Sequence, residues 1–111
     1  LNNMILGASG ENIYPEEIED KLNNLPMVLE SLIIESKGVL KALIVPDYDS
    51  AAKENIGEQE LHKMMEDNIK TLNTMNEVAH LGLQIVPKHE KELFYSKWQE
   101  LREMIESWKN G

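Results

Sequence analysis

The run from Gly7 to Asp20, Gly-Ala-Ser-Gly-Glu-Asn-Ile-Tyr-Pro-Glu-Glu-Ile-Glu-Asp, constrains this chain more than any other stretch. It joins a glycine-bearing turn to a strongly marked helix start. Gly7 and Gly10 permit backbone angles that a side chain would forbid. Pro15 suits the first helical position, because its missing N–H would have no intrahelical partner there. Glu16 and Glu17 fall in the first turn, where the positive end of the helix dipole favours anions. With Tyr14 as N-cap, Ile13 and Ile18 stand at the two ends of a hydrophobic staple. These signals agree on one local shape, and a shaped loop at a domain edge is a natural place for function.

The remaining pattern extends this start into an α+β domain. Met4 to Leu6 reads as a short strand and Pro15 to Asn24 as a helix, with Ile18, Leu22 and Leu25 on one face and Pro26 ending it. Val28–Glu35 and Val39–Val45 are two aliphatic, β-branched runs separated by Ser36-Lys37-Gly38, which predicts a hairpin. Both runs are apolar at most positions, so they are expected to be covered on both faces or to lie centrally in a sheet. Glu30 and Lys41 are the expected exposed positions. Residues 46–50 read as a loop by composition, and residues 51–57 carry no clear pattern before Gly57. Glu58 to Met75 is a second amphipathic helix with Leu61, Met64, Met65, Ile69, Leu72 and Met75 as its stripe. Its methionines read as core, with an adaptable ligand groove as the alternative. Leu81 to Val86 alternates as a strand closed by Pro87. Phe94, Trp98, Leu101, Ile105 and Trp108 then recur at helical steps, a face suited to packing or to self-association. The predicted order, strand-helix-strand-strand-helix-strand plus a terminal amphipathic helix, implies a small mixed sheet with helices packed on it.

Length and charge limit the functional classes. A chain of 111 residues suits one domain, 1–111. Twenty acidic against eleven basic side chains give a net charge of −9, a field that repels phosphate backbones and disfavours nucleic-acid binding. There is no cysteine for a disulfide or thiolate cage, which fits a reducing compartment. No apolar run approaches the ~20 residues of a membrane span. His62, His80 and His89 have no metal-ligand spacing, so they read as surface or capping residues. The Gly-Ala-Ser-Gly turn lacks the lysine of a P-loop and the full dinucleotide fingerprint.

Gly10-Glu11-Asn12-Ile13-Tyr14-Pro15-Glu16-Glu17-Ile18-Glu19 resembles the loop-and-helix signature in the C-terminal domain of AMP-forming acyl-CoA synthetases. The spacing from Met4-Ile5-Leu6 to Gly10 resembles the long-chain fatty acid–CoA ligase branch. The likeness continues through Leu25-Pro26-Met27-Val28-Leu29-Glu30-Ser31 and covers the chain to roughly residue 72, whereas residues 76–111 depart from the family pattern. The resemblance implies an enzyme part. The whole enzyme would use ATP and Mg2+ to adenylate a fatty acid, then pass the acyl group to CoA. Its large N-terminal ATP- and acyl-binding domain would be the partner of this chain. The 111-residue piece alone would bind none of these cofactors and would be inert.

By the same resemblance, Gly7, Gly10, Glu11 and Asn12 form the loop beside the pantetheine arm during thioester formation. Asn2 falls on the hinge, where the family more often carries Asp or Lys. The family's adenylation lysine lies in a Pro-x-Thr-x-Thr/Gly-Lys pattern, which is largely missing here. Lys97, ten residues after Pro87 and preceded by the small Ser96, is the catalytic candidate; a solvated lysine on the terminal helix is the alternative. The implied location is cytoplasmic, with the full enzyme peripheral to a membrane at most. A reading from a different class is a ferredoxin-like module that binds small ligands and self-associates, which shares the element order by fold analogy alone.

Overall fold

A computed structural model describes residues 5–6, 12–36, 39–75, 81–94, 96–97, 99–100 and 103. In chain order the elements are β1 (Ile5–Leu6), β2 (Asn12–Ile13), α1 (Pro15–Asn23), β3 (Val28–Ser36), β4 (Val39–Pro46), α2 (Tyr48–Lys53), α3 (Glu58–Met75) and β5 (Gly82–Ile85). A 3-10 turn at Lys88–Glu90 follows, and the described residues from 91 onward are helical.

The predicted α+β class holds, and the sheet is small and mixed. β3 and β4 form the expected hairpin, antiparallel from Val28↔Pro46 to Ser36↔Val39, with an irregularity between Val28 and Glu30. β5 pairs parallel to β4, from Lys41↔Gly82 to Ile44↔Ile85, so β4 is central. A parallel pair cannot be joined by a tight turn and needs a crossover, usually helical. Here α2 and α3 supply it. The first strand departs from the expected arrangement: β1 pairs with β2 in a separate two-stranded ribbon and does not join the sheet.

Register explains the core. Ile33 lies opposite Ala42, Ser31 opposite Ile44 and Glu35 opposite Leu40, so Ile33, Leu40, Ala42 and Ile44 share one face. Ile18 and Leu22 of α1 and Leu61, Met65, Ile69 and Leu72 of α3 pack into the same cluster. The methionine stripe of α3 is therefore core through its centre, and Met65 is fully buried. Leu32 and Val45, on the opposite face of the hairpin, are also buried, as the aliphatic runs imply. Lys41 is exposed, but Glu30 is half-buried and accepts a hydrogen bond from the Ser31 N–H at 3.4 Å. Sheet neighbours and the adjacent helix crowd that position more than the sequence suggests.

α1 is also fastened to the sheet through polar groups. The Glu19 carboxylate accepts from the Ile33 backbone N–H at 3.0 Å, and Ser31 Oγ donates to Asn23 Oδ1 at 2.7 Å. Edge strands carry unpaired backbone groups that attract other strands; a buried carboxylate on α1 takes up one of these on β3. The connection out of α1 is a reverse turn. Val28 N–H bonds to Leu25 O at 3.4 Å across Pro26 and Met27, and Met27 has a φ of 62°. Proline followed by a positive φ is the mark of a type II turn, where glycine is usual.

Residues 46–50, expected as a loop, contain the first half of α2. Asp47 caps it, accepting from the Ser50 N–H at 3.1 Å and from Ser50 Oγ at 2.8 Å. The helix ends with Asn55 at a φ of 59°, and the N–H groups of Asn55 and Ile56 return to Ala52 O and Ala51 O. This is the Schellman arrangement, which satisfies terminal carbonyls through a left-handed residue. At the far end of α3, Asn73 grips β5: its Oδ1 accepts from the Leu81 N–H at 2.9 Å.

Candidate functional site

The glycine loop is framed by paired backbone. Leu6 lies opposite Asn12 and Ile5 opposite Ile13, so the two stems of the Gly7–Glu11 segment are tied side by side. Ile13 is buried next to Ile18 in the core, which realises the staple, and Tyr14 occupies the N-cap with extended backbone and no side-chain cap bond. Asn12 is exposed on its strand stub. Gly7, Gly10 and Glu11, and the hinge candidate Asn2, lie outside the described residues. The stem that follows the loop is thus anchored by an apolar peg, Ile13, and by the helix start just after it. Glu16 and Glu17 fill the first turn of α1. Their charge occupies the field that a phosphate would use at a helix N-terminus, so α1 is not built to hold an anion.

Lys97 lies on the helical terminal segment and is exposed, as is Ser96. Among the described residues no carboxylate pairs with it. The proline–threonine loop of the resembled family is replaced here by helix. Phe94 is half-buried whereas Leu93 is 61% exposed. The packing contacts of Trp98, Leu101, Ile105 and Trp108, proposed for self-association, lie outside the described residues. The same is true of His80.

A second cluster had no announcement in the sequence. Tyr48, at the start of α2, is 4% exposed, and its hydroxyl donates to the Val86 carbonyl at 2.5 Å. His62 Nε2 lies 3.4 Å from the same oxygen. Because the phenolic proton is committed to Val86, the imidazole is the donor in that contact. Burial, with a smaller contribution from Glu58, pushes the Tyr48 hydroxyl from 10.0 up to about 12. The phenol therefore stays protonated at neutral pH. Around it lies a shallow pocket of about 120 Å³, bounded by Tyr48, Ala51, Ile56, Glu58, Leu61 and Lys88. His62 is thus neither a free surface nor a capping histidine; it is half-buried and serves Tyr48. His89 is exposed and stands 3.7 Å from Glu90. Among the described residues there is no group of three or more potential metal ligands, and no helix is long and apolar enough to cross a membrane.

A scan against protein-family models gives no match, and neither does a search of the curated proteins. Solved structures do match. The adenylation domain of a carboxylate reductase from Mycobacterium chelonae superposes with a TM-score of 0.57 over 98% of this chain, at 17% identity. The A-PCP didomain of carboxylic acid reductase from Segniliparus rugosus, in complex with AMP, gives 0.53 over 76% at 19% identity. An adenylation domain of a keto acid-selecting NRPS module bound to keto acyl adenylate gives 0.53 over 87% at 20% identity. The fold is that of a segment of adenylation-domain structures. The chain spans only 20%, 12% and 16% of those three structures, respectively.

Proposed function

We propose that this chain is the mobile C-terminal domain of an AMP-forming acyl-CoA synthetase of the long-chain fatty acid branch, acting as a lid on a larger N-terminal domain. The observation that carries this reading is the Gly10–Glu19 run, standing at a strand–helix junction in a fold shared with segments of adenylation domains. In the complete enzyme, ATP with Mg2+ activates the fatty acid: a carboxylate oxygen attacks the α-phosphorus and pyrophosphate leaves. The sulfur of CoA then attacks the acyl carbonyl carbon, and AMP leaves.

This chain would contribute a few groups to that sequence. Lys97 would present its ammonium to the acid carboxylate and to the charge developing during adenylation. After a rotation about Asn2, the loop of Gly7, Gly10, Glu11 and Asn12 would lie along the CoA arm, offering close backbone approach. Lid motions of this kind gate successive half-reactions. The four strands of the ferredoxin-like alternative would lie in one sheet; β1 pairs with β2 instead, so that reading gains no support.

The test is reconstitution. The chain mixed with the matching N-terminal piece is expected to raise acyl-CoA formation well above that of the N-terminal piece alone, and to form none by itself. No gain over the N-terminal piece would remove the proposal.

A further inference from the structure

The segment that leaves β5 meets α2 and the start of α3 at three successive points. Val86 is held from both sides: its N–H bonds to Ile44 O at 3.0 Å and its carbonyl accepts from Tyr48. Two residues on, Lys88 closes one side of the pocket formed by Tyr48, Ala51, Ala52, Ile56, Glu58 and Leu61. Three residues further, Lys91 Nζ lies 3.3 Å from Asp49 Oδ2, with the lysine side chain only 20% exposed. Tyr48 and Asp49 are neighbours on α2, one directed into the body and one outward, and each grips a different point of the same segment. Asp47 in turn holds the first turn of α2.

The consequence lies further along the terminal helix. Lys91 and Phe94 are half-buried, one helical turn apart, and mark the docked side. Glu92, Leu93, Ser96, Lys97, Gln99 and Glu100 are exposed; Lys97, one turn beyond Phe94, stands at the flank of the docked side with its side chain in solvent. We propose that α2 is a docking platform for the chain after β5, and that Tyr48 and Asp49 are positioning residues that set how Lys97 is presented. The positioning role rests on the reading of Lys97 as the adenylation lysine; the platform does not.

Two experiments separate these parts. In the 111-residue chain, Tyr48→Phe keeps the ring and removes only the hydroxyl. Amide hydrogen exchange across residues 88–97 is expected to rise at least tenfold, and the gain is expected to exceed whatever β3 and β4 show from the loss of global stability. Unaltered exchange there overturns the platform. In the complete enzyme, Tyr48→Phe and Asp49→Lys are each expected to lower kcat of adenylation three- to tenfold. The KM for ATP and the thioester step from preformed acyl-adenylate should not move. The swap Asp49→Lys with Lys91→Asp should recover most of the loss, which a merely structural defect would not allow. If Lys97→Ala abolishes adenylation while Tyr48→Phe and Asp49→Lys leave it intact, the positioning role is wrong and the proposed function stands. If Lys97→Ala leaves adenylation intact, the assignment of Lys97 and the positioning role fall together.

Discussion

α2 and α3 are consecutive helices on the same crossover, yet they are held by different physics. α3 runs 18 residues and buries Leu61, Met65, Ile69 and Leu72 in the shared core. α2 runs six residues and buries Tyr48 and Ala51. Helices shorter than about 12 residues are marginal by themselves in water, so α2 persists through its ends and its contacts: the Asp47 cap, the Schellman close at Asn55, and the side chains of Tyr48 and Asp49. Area holds α3 and a few directed hydrogen bonds hold α2. A contact made by area fails gradually under substitution. One made by hydrogen bonds can be released by changing one atom, which suits the element that borders the terminal segment.

The sharpest test of that contrast is Met65→Ala. Met65 is fully buried at the centre of the α3 stripe. Truncation removes transfer energy and leaves a cavity, and buried Met→Ala changes cost about 2–5 kcal/mol. Urea denaturation should show a loss in that range. A loss below about 1 kcal/mol would mean that the stripe is not packed as core, and the groove reading of its methionines would return.

Tyr48→Phe probes the other side of the comparison. It leaves the Val86 carbonyl buried without its donor, which costs about 1–3 kcal/mol at neutral pH. Titration sharpens the prediction. The folded hydroxyl is raised to about 12 against 10.0 when unfolded, mainly by burial and then by Glu58. The folded state therefore favours the protonated phenol. This contribution is complete below pH 10 and is lost as pH rises from 10 toward 12. By linkage it amounts to at most roughly 3 kcal/mol. The wild-type chain should lose stability across that window, and Tyr48→Phe should lose markedly less. Parallel alkaline profiles for the two proteins would show that Tyr48 is not the responsible group.

The same contrast explains which parts of the molecule could be read from residue order. α1, the β3–β4 hairpin and α3 are long enough for periodicity to appear, and Tyr14, Pro15 and Ile18 mark the start of α1 without ambiguity. α2 is hidden because six residues offer a single i, i+3 apolar pair, Tyr48 and Ala51, inside an Asp-Tyr-Asp-Ser stretch that reads as loop. The one available signal was Asp47 placed three residues before Ser50. β2 is two residues long and is defined only by what it pairs with. The Tyr48–His62–Val86 cluster joins positions 14 and 38 residues apart, a juxtaposition made by the crossover and invisible as spacing. Asn12 and Lys97 are exposed where the resemblance puts functional groups.

Asp47→Ala tests whether the ends of α2 matter as argued. Losing an N-cap costs about 1 kcal/mol. Because Asp47 acts on α2 and not on the core, the loss should be accompanied by faster amide exchange in α2 and at residues 88–91, with α3 protected as before. Equal acceleration in α3 would mean that the two helices unfold as one unit, and the distinction between them would fail.

The smallest expected effect comes from the exposed surface of α3, and its smallness carries the point. Lys63 and Asp67 form an i, i+4 pair at 3.3 Å with side chains 60% and 58% exposed. Water and salt screen such a pair, and helix pairs of this type contribute about 0.3–0.5 kcal/mol. The Asp49–Lys91 contact has the same length, but its lysine is 20% exposed and it joins two segments 42 residues apart. Asp67→Asn should therefore shift the urea midpoint by no more than the equivalent of about 0.5 kcal/mol and leave exchange at residues 88–97 untouched. Asp49→Asn, with a similarly small change in global stability, should accelerate exchange in that segment. If the two substitutions act alike on it, the Asp49–Lys91 pair is an ordinary surface pair and α2 holds the terminal segment through Tyr48 alone.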